Sequence, residues 1–109
     1  MKNVGIDIVE IERVKKAISA SFEDQVLSIQ EKQMCKDYSI DRKIKFVAGR
    51  FAAKEAIIKC LADEEDAKMS DLNIENNEKG KPYINYKDYS ILLSISHENN
   101  YAVAVAILQ

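Results

Sequence analysis

One long run organises this chain. From about Arg42 to Leu61, apolar residues fall at positions 47, 51, 58 and 61, with 44 and 57 beside them. That is helical spacing, and a helix with one apolar stripe has to bury it against other elements. Asp41 is the expected N-cap. Gly49 costs about 1 kcal/mol relative to alanine inside such a helix, so a tight crossing is expected there. Glu55 and Lys59 stand one turn apart on a common face, so their head groups should converge. Ala52 and Ala53, just before them, let another backbone or a ligand come close. Taken alone, the run reads as a buried helix with an ordinary surface Glu–Lys pair, worth roughly 0.3 kcal/mol.

The remaining segments are what can cover that stripe. Lys2 to Val9 alternates, with Val4, Ile6 and Ile8 on one side and Asn3, Gly5, Asp7 and Val9 on the other. This is a short strand. It places Asp7, a residue that strands disfavour, opposite three β-branched side chains, with open space expected beside Gly5. Asp7 is therefore either a functional carboxylate or a solvent-facing one. A first helix is expected from Glu10 to Ala20, with Ile11, Val14, Ala17 and Ile18 on one face and Arg13, Lys15 and Lys16 on a basic side. Phe22 to Leu27 reads as a turn or helical fragment. Ser28-Ile29-Gln30-Glu31 has the capping-box pattern and should start a second helix running to about Tyr38.

Beyond Leu61 comes Ala62-Asp63-Glu64-Glu65-Asp66, four carboxylates where the helix dipole prefers cations, so a fraying or mobile loop is expected. Leu72 to Glu75 and Pro82 to Tyr86 form a hairpin around a polar turn, with Pro82 at a tolerated strand start. Ile91 to Ser96 is another strand. It leads through His97 to Tyr101–Leu108, apolar enough to be buried on both faces. The expectation is an α+β fold, a small antiparallel sheet packed with a long central helix and shorter helices.

Composition narrows the function. The 109 residues suit one domain, and 47% hydrophobic with 31% charged residues describe a globular chain. A net charge of −2 argues against a general nucleic-acid binder. No apolar run approaches the roughly 20 residues of a membrane span, and the start lacks a signal-peptide core, so no membrane association and a cytoplasmic location are expected. Cys35 and Cys60 form no paired metal motif and read as reduced, buried small hydrophobes.

Three polar features stand out: Asp7 in a strand, Glu55 with Lys59 in a helix, and His97, the only histidine, at a strand exit. A lone histidine is more often structural than a ligand. There is no Cys/His cluster for zinc, no glycine-rich phosphate loop and no serine triad. Two carboxylates from separate elements suit magnesium, which is held by one or two carboxylates, waters and substrate phosphates. Lys59, and Arg50 a little over a turn before Glu55, would then meet phosphate charge.

Gly5-Ile6-Asp7-Ile8 with Ile11-Glu12-Arg13-Val14 resembles the opening motif of the holo-acyl-carrier-protein synthases, the short 4′-phosphopantetheinyl transferases. Ala48 to Lys59 resembles their second motif. Gly80-Lys81-Pro82-Tyr83 and Ser94-Ile95-Ser96-His97 complete the set in order across the chain. The resemblance implies a 4′-phosphopantetheinyl transferase fold over residues 1–109. It implies transfer of the phosphopantetheine of coenzyme A to a serine of apo acyl carrier protein, with release of 3′,5′-ADP, in fatty acid biosynthesis. By similarity, Asp7 and Glu55 hold magnesium, and Glu55 helps activate the serine directly or through water. Lys59 meets developing phosphate charge, and Arg50 and His97 lie near the 3′-phosphate of coenzyme A. Arg13 and Lys16 would meet the acidic carrier, although a plain solvated face serves as well. A homotrimer with sites at subunit interfaces is implied too. One departure is the acidic 63–66 stretch, where the family has a glycine-rich loop touching coenzyme A. Acidic groups there repel a polyanion unless they point away. A non-catalytic carrier-protein or coenzyme A binding module of the same fold is the alternative.

Overall fold

The computed structural model describes residues Met1–Gln109. Its elements are β1 (Asn3–Glu10), α1 (Ile11–Ala17), α2 (Ala20–Val26), α3 (Ile29–Cys35) and α4 (Ile40–Leu61). A 3-10 turn (Met69–Asp71) follows, then β2 (Ile74–Asn76), β3 (Pro82–Ile84), β4 (Ile91–His97) and β5 (Tyr101–Leu108). Strands β1, β5 and β4 form an antiparallel sheet in that order, and β2 with β3 form a separate hairpin. Helix α4 lies mainly on β1 and β5. The architecture is α+β, as expected.

The long helix begins earlier than its apolar pattern indicates. Ser39, not Asp41, is the N-cap, and its hydroxyl accepts the Arg42 backbone N–H at 3.3 Å. Asp41 sits inside the first turn, where its charge suits the positive end of the helix dipole. The first helix is shorter than expected and ends at Ala17; Ser19 then caps α2, which makes a proper helix of the 20–26 stretch. The capping box at Ser28 and Glu31 is present in both directions, but α3 stops at Cys35 rather than Tyr38.

How α4 meets the sheet follows from small residues. Ala102, Ala104 and Ala106 of β5 and Ala48, Ala52, Ala53 and Ala56 of α4 are all buried, so the helix and sheet come close. The tight crossing is at Gly5, not at Gly49. A Cβ on Gly5 would stand 1.9 Å from the Ala56 carbonyl oxygen, whereas one on Gly49 would meet only Ile95 at an ordinary 3.5 Å. The open space expected beside Gly5 is filled by helix backbone. Consequently the Asn3–Val9 side of β1, Asp7 included, faces α4. Val4, Ile6 and Ile8 are the outward side, 49%, 62% and 64% exposed. On β5 the alternate residues Val103, Val105 and Ile107 are only half-buried, so that strand is not covered on both faces within one chain.

Candidate active site

The contact of Gly5 with Ala56 decides where two acids emerge. Asp7 lies two residues further along β1, and Glu55 is the helix neighbour of Ala56, so both leave their elements at one crossing. They line the same cavity, of about 260 Å³, together with Val14, Phe22, Phe51 and Arg13. Lys59, one helical turn beyond Glu55, reaches across to β1. Its ammonium donates to the Ile6 carbonyl at 2.9 Å and to Asp7 Oδ1 at 3.3 Å. The convergence expected of Glu55 and Lys59 does not occur: Lys59 pairs with Asp7, and Glu55 makes no ion pair. The strand offers Lys59 a carboxylate and a carbonyl together, whereas Glu55 offers a carboxylate alone.

No cluster of three or more His, Cys, Asp or Glu exists that would enclose a metal with protein ligands alone. Two hard carboxylates bordering an open cavity fit magnesium, which retains waters and takes phosphate oxygens for its remaining positions. They do not fit zinc, which favours nitrogen and sulfur donors.

Arg50 and His97 are brought together, but elsewhere. Both line a second cavity of about 350 Å³, with Arg42, Lys45, Tyr38 and Asn76. Five residues separate Arg50 from Glu55, roughly 140° around a helix, so the two side chains leave α4 on different sides. The two cavities share no lining residue. Arg42 lies over the Tyr38 ring at 3.8 Å and Arg50 over Phe46 at 4.5 Å. Three guanidinium or ammonium groups and an exposed histidine around one hollow suit an anion. Arg13 borders the cavity of the two acids, while Lys16 is simply exposed on α1.

Behind Arg50 lies a buried charge cluster that the pattern reading missed. Glu31, Arg50 and Lys54 are 0%, 6% and 0% exposed. Lys54 donates to Glu31 Oε1 and to the carbonyls of Val26 and Met69, at 2.7 and 2.9 Å for the two carbonyls. Glu31 Oε2 accepts the Ile74 N–H at 3.0 Å and lies 3.3 Å from Arg50 Nε. Burial pushes Lys54 and Arg50 below their ordinary pKa values, and Glu31 pulls them part of the way back. One signal was available: Lys54 stands midway between Val47 and Leu61 at seven-residue spacing, on the buried stripe, where a cation needs a buried carboxylate.

The acidic stretch after α4 is tied down rather than frayed. Glu65 accepts hydrogen bonds from Tyr86 Oη at 2.8 Å, Lys87 Nζ at 2.8 Å and Tyr89 Oη at 3.0 Å. Glu64 lies 3.6 Å from Lys2. Cys35 and Cys60 are free and buried, and burial pushes both thiols up, which makes them inert. No helix is long and apolar enough to cross a membrane.

Comparison with known proteins gives the family and the fold. The family model described as the 4′-phosphopantetheinyl transferase superfamily matches residues 3–106. The holo-[acyl-carrier-protein] synthase of a Geobacillus strain is 40% identical, over 97% of this chain and 94% of its own. A crystal structure of a Bacillus anthracis holo-(acyl-carrier-protein) synthase in complex with CoA (3′,5′-ADP) superposes with a TM-score of 0.89 at 35% identity, covering 98% and 95% of the two chains. The Helicobacter pylori holo-[acyl-carrier-protein] synthase in complex with coenzyme A gives 0.83 at 32% identity, covering 97% and 99%. Two acids at one strand–helix crossing, a cationic hollow on the far side of the same helix, and these full-length likenesses place the chain in the 4′-phosphopantetheinyl transferase superfamily, as one of its holo-[acyl-carrier-protein] synthases.

Proposed function

We propose that the chain, as one domain over residues 1–109, moves the 4′-phosphopantetheine of coenzyme A onto a serine of apo acyl carrier protein in a magnesium-dependent reaction. The serine oxygen bonds to the phosphorus that carries phosphopantetheine, the bond from that phosphorus to the bridging oxygen breaks, and 3′,5′-ADP leaves. The observation that carries this reading is the shared cavity of Asp7 and Glu55, with Lys59 beside Asp7. Asp7 and Glu55 are the residues that would hold magnesium, which when bound supplies positive charge to the pyrophosphate oxygens. Glu55 takes the serine proton, directly or through a water. Lys59, exposed beside Asp7, offers its ammonium to phosphate charge as it develops. Little covalent work falls to the protein; positioning and charge carry the rate.

Arg50 and His97, with Arg42 and Lys45, suit the 3′-phosphate end of coenzyme A. In one chain they lie in a different cavity from the acids. A homotrimer built through the outward face of β1 would let the cationic hollow of one subunit serve the acids of its neighbour. The carrier's acidic surface meets Arg13 and Lys16, which mainly speeds and orients docking. Glu65 is engaged by Tyr86, Lys87 and Tyr89, which offsets one of the four charges of the acidic stretch. Work in the cytoplasm, on a carrier of fatty acid biosynthesis, belongs to the same reading.

The test is incubation with apo carrier, coenzyme A and magnesium, followed by the mass of the carrier. Gain of one phosphopantetheine is expected, with 3′,5′-ADP appearing in equal amount. Carrier binding without a mass change would overturn transfer.

A further inference from the structure

Glu31 touches neither cavity, yet it meets four residues: Ser28 at the cap of its own helix, Arg50 and Lys54 of α4, and Ile74 of β2. Oε1 accepts the Ser28 N–H at 2.8 Å and the Lys54 ammonium. Oε2 accepts the Ile74 N–H and lies 3.3 Å from Arg50 Nε. Arg50 is held at a second nitrogen as well, its Nη2 donating to the Ile74 carbonyl at 3.2 Å and to Asn76 Oδ1 at 2.8 Å. Only Nε of this side chain is both fully buried and without a hydrogen bond; Nη1 has no partner in the chain and is not fully buried, and Arg50 lines the cationic cavity. The guanidinium is therefore held at Nη2 by two acceptors and lies against the Glu31 carboxylate at Nε, which leaves Nη1 as its unengaged nitrogen.

We propose that Glu31 is a positioning residue for the cationic cavity: by holding Arg50 from behind, it fixes the direction in which Nη1 meets a phosphate group of the substrate. This rests on the reading of that cavity as the place of the coenzyme A 3′-phosphate. Charge supports the role. Two buried cations share one carboxylate, so the cluster carries one net positive charge, and Arg50 is the member bordering the cavity. Shape supports it too. A planar fork recognises phosphate only when its plane is set, and a flexible arginine loses much of that advantage to entropy. Glutamine at position 31 can still accept at Oε1. At the other atom, however, it would turn an amide N–H₂ toward the Ile74 N–H and Arg50 Nε, donors facing donors. Arg50 would then be pushed out of its seat while the helix cap survives.

Steady-state kinetics with coenzyme A and with dephospho-coenzyme A, which lacks the 3′-phosphate, test this. For Glu31→Gln the KM for coenzyme A is expected to rise roughly tenfold, the loss of one charge-assisted contact, with kcat within about twofold of the parent. The KM for dephospho-coenzyme A should stay near the parent value. In Arg50→Met, adding Glu31→Gln should change nothing further, because the residue it positions is already gone. If Glu31→Gln alone proves too unstable, the double variant Glu31→Gln/Lys54→Met removes the surplus buried cation and is read in the same way. Asn76→Ala, on the exposed hairpin, tests the opposite grip without touching the core and should raise the KM about threefold. A normal coenzyme A KM in the folded Glu31 variant, or a loss confined to kcat, overturns the positioning role. A normal KM in Arg50→Met overturns the reading of the cavity itself, and the role of Glu31 falls with it.

Discussion

Asp7 and Glu55 differ in what already neutralises them. Asp7 has the Lys59 ammonium at 3.3 Å, while Glu55 has no ion-pair partner at all. Neither is needed to hold the chain together, since each is only half-buried at the rim of an open cavity. Asp7→Ala and Glu55→Ala are therefore expected to lower turnover by at least about 100-fold, with circular dichroism and melting temperature close to the parent. Wild-type turnover in both would remove the metal assignment. Asp7 was legible because an acid inside an alternating apolar strand conflicts with strand preference. Glu55 was legible only beside Asp7, as a second hard donor. Glu31 and Lys54 were not recognised as partners, although each left a local trace. Their pairing spans α3 and α4, and no periodicity within either helix encodes the offset between them.

At the level of elements, the strand and helix types were readable while their contacts were not. The alternation of β1 is correct, yet which face would be covered depends on Gly5, whose missing side chain can mean open space or close approach. Here it means close approach. Gly5→Ala is expected to cost about 3 kcal/mol or more, since the obstacle is helix backbone rather than a movable side chain. Urea unfolding would show this as a lowered midpoint, and an unchanged midpoint would mean that β1 and α4 are less intimate than described. The connection after α4 was expected to be loose because its charges oppose the dipole; side chains from the Tyr86–Tyr89 turn reverse that outcome. Glu65 is held below the usual carboxylate range, first by Lys87 and then by Tyr86, while Tyr86, Tyr89 and Lys87 are all raised by Glu65. A lowered acid stabilises the fold above its unfolded pKa and loses that contribution as pH falls through its folded value. The raised groups stabilise below their unfolded values, about 10 for tyrosine, and lose it as pH rises through their folded ones. The melting-temperature gap between the parent and Glu65→Gln should thus be widest at roughly pH 5–9 and shrink toward both extremes. A gap that does not vary with pH would mean that the hydrogen bonds to Glu65 contribute nothing through its charge.

For the whole molecule, the outward sheet face is the feature most in need of a partner. Val4, Ile6, Ile8, Leu92 and Tyr101 are each 42–64% exposed, a density of large apolar groups that isolated subunits rarely leave in water. On the trimeric reading, Ile6→Lys should lower the mass measured by light scattering about threefold and remove turnover together, because the acids and the cationic hollow then no longer meet. A variant that stays assembled, or a monomer that still turns over, would refute that arrangement. The backbone contact between Gly5 and Ala56 also has a genetic consequence. Elsewhere in a core, an enlarged residue can be accommodated when a neighbour mutates to something smaller. At this crossing the neighbour is a carbonyl, which no codon can shrink. A screen for revertants of Gly5→Ala should therefore return glycine at position 5 and no compensating change at any second position.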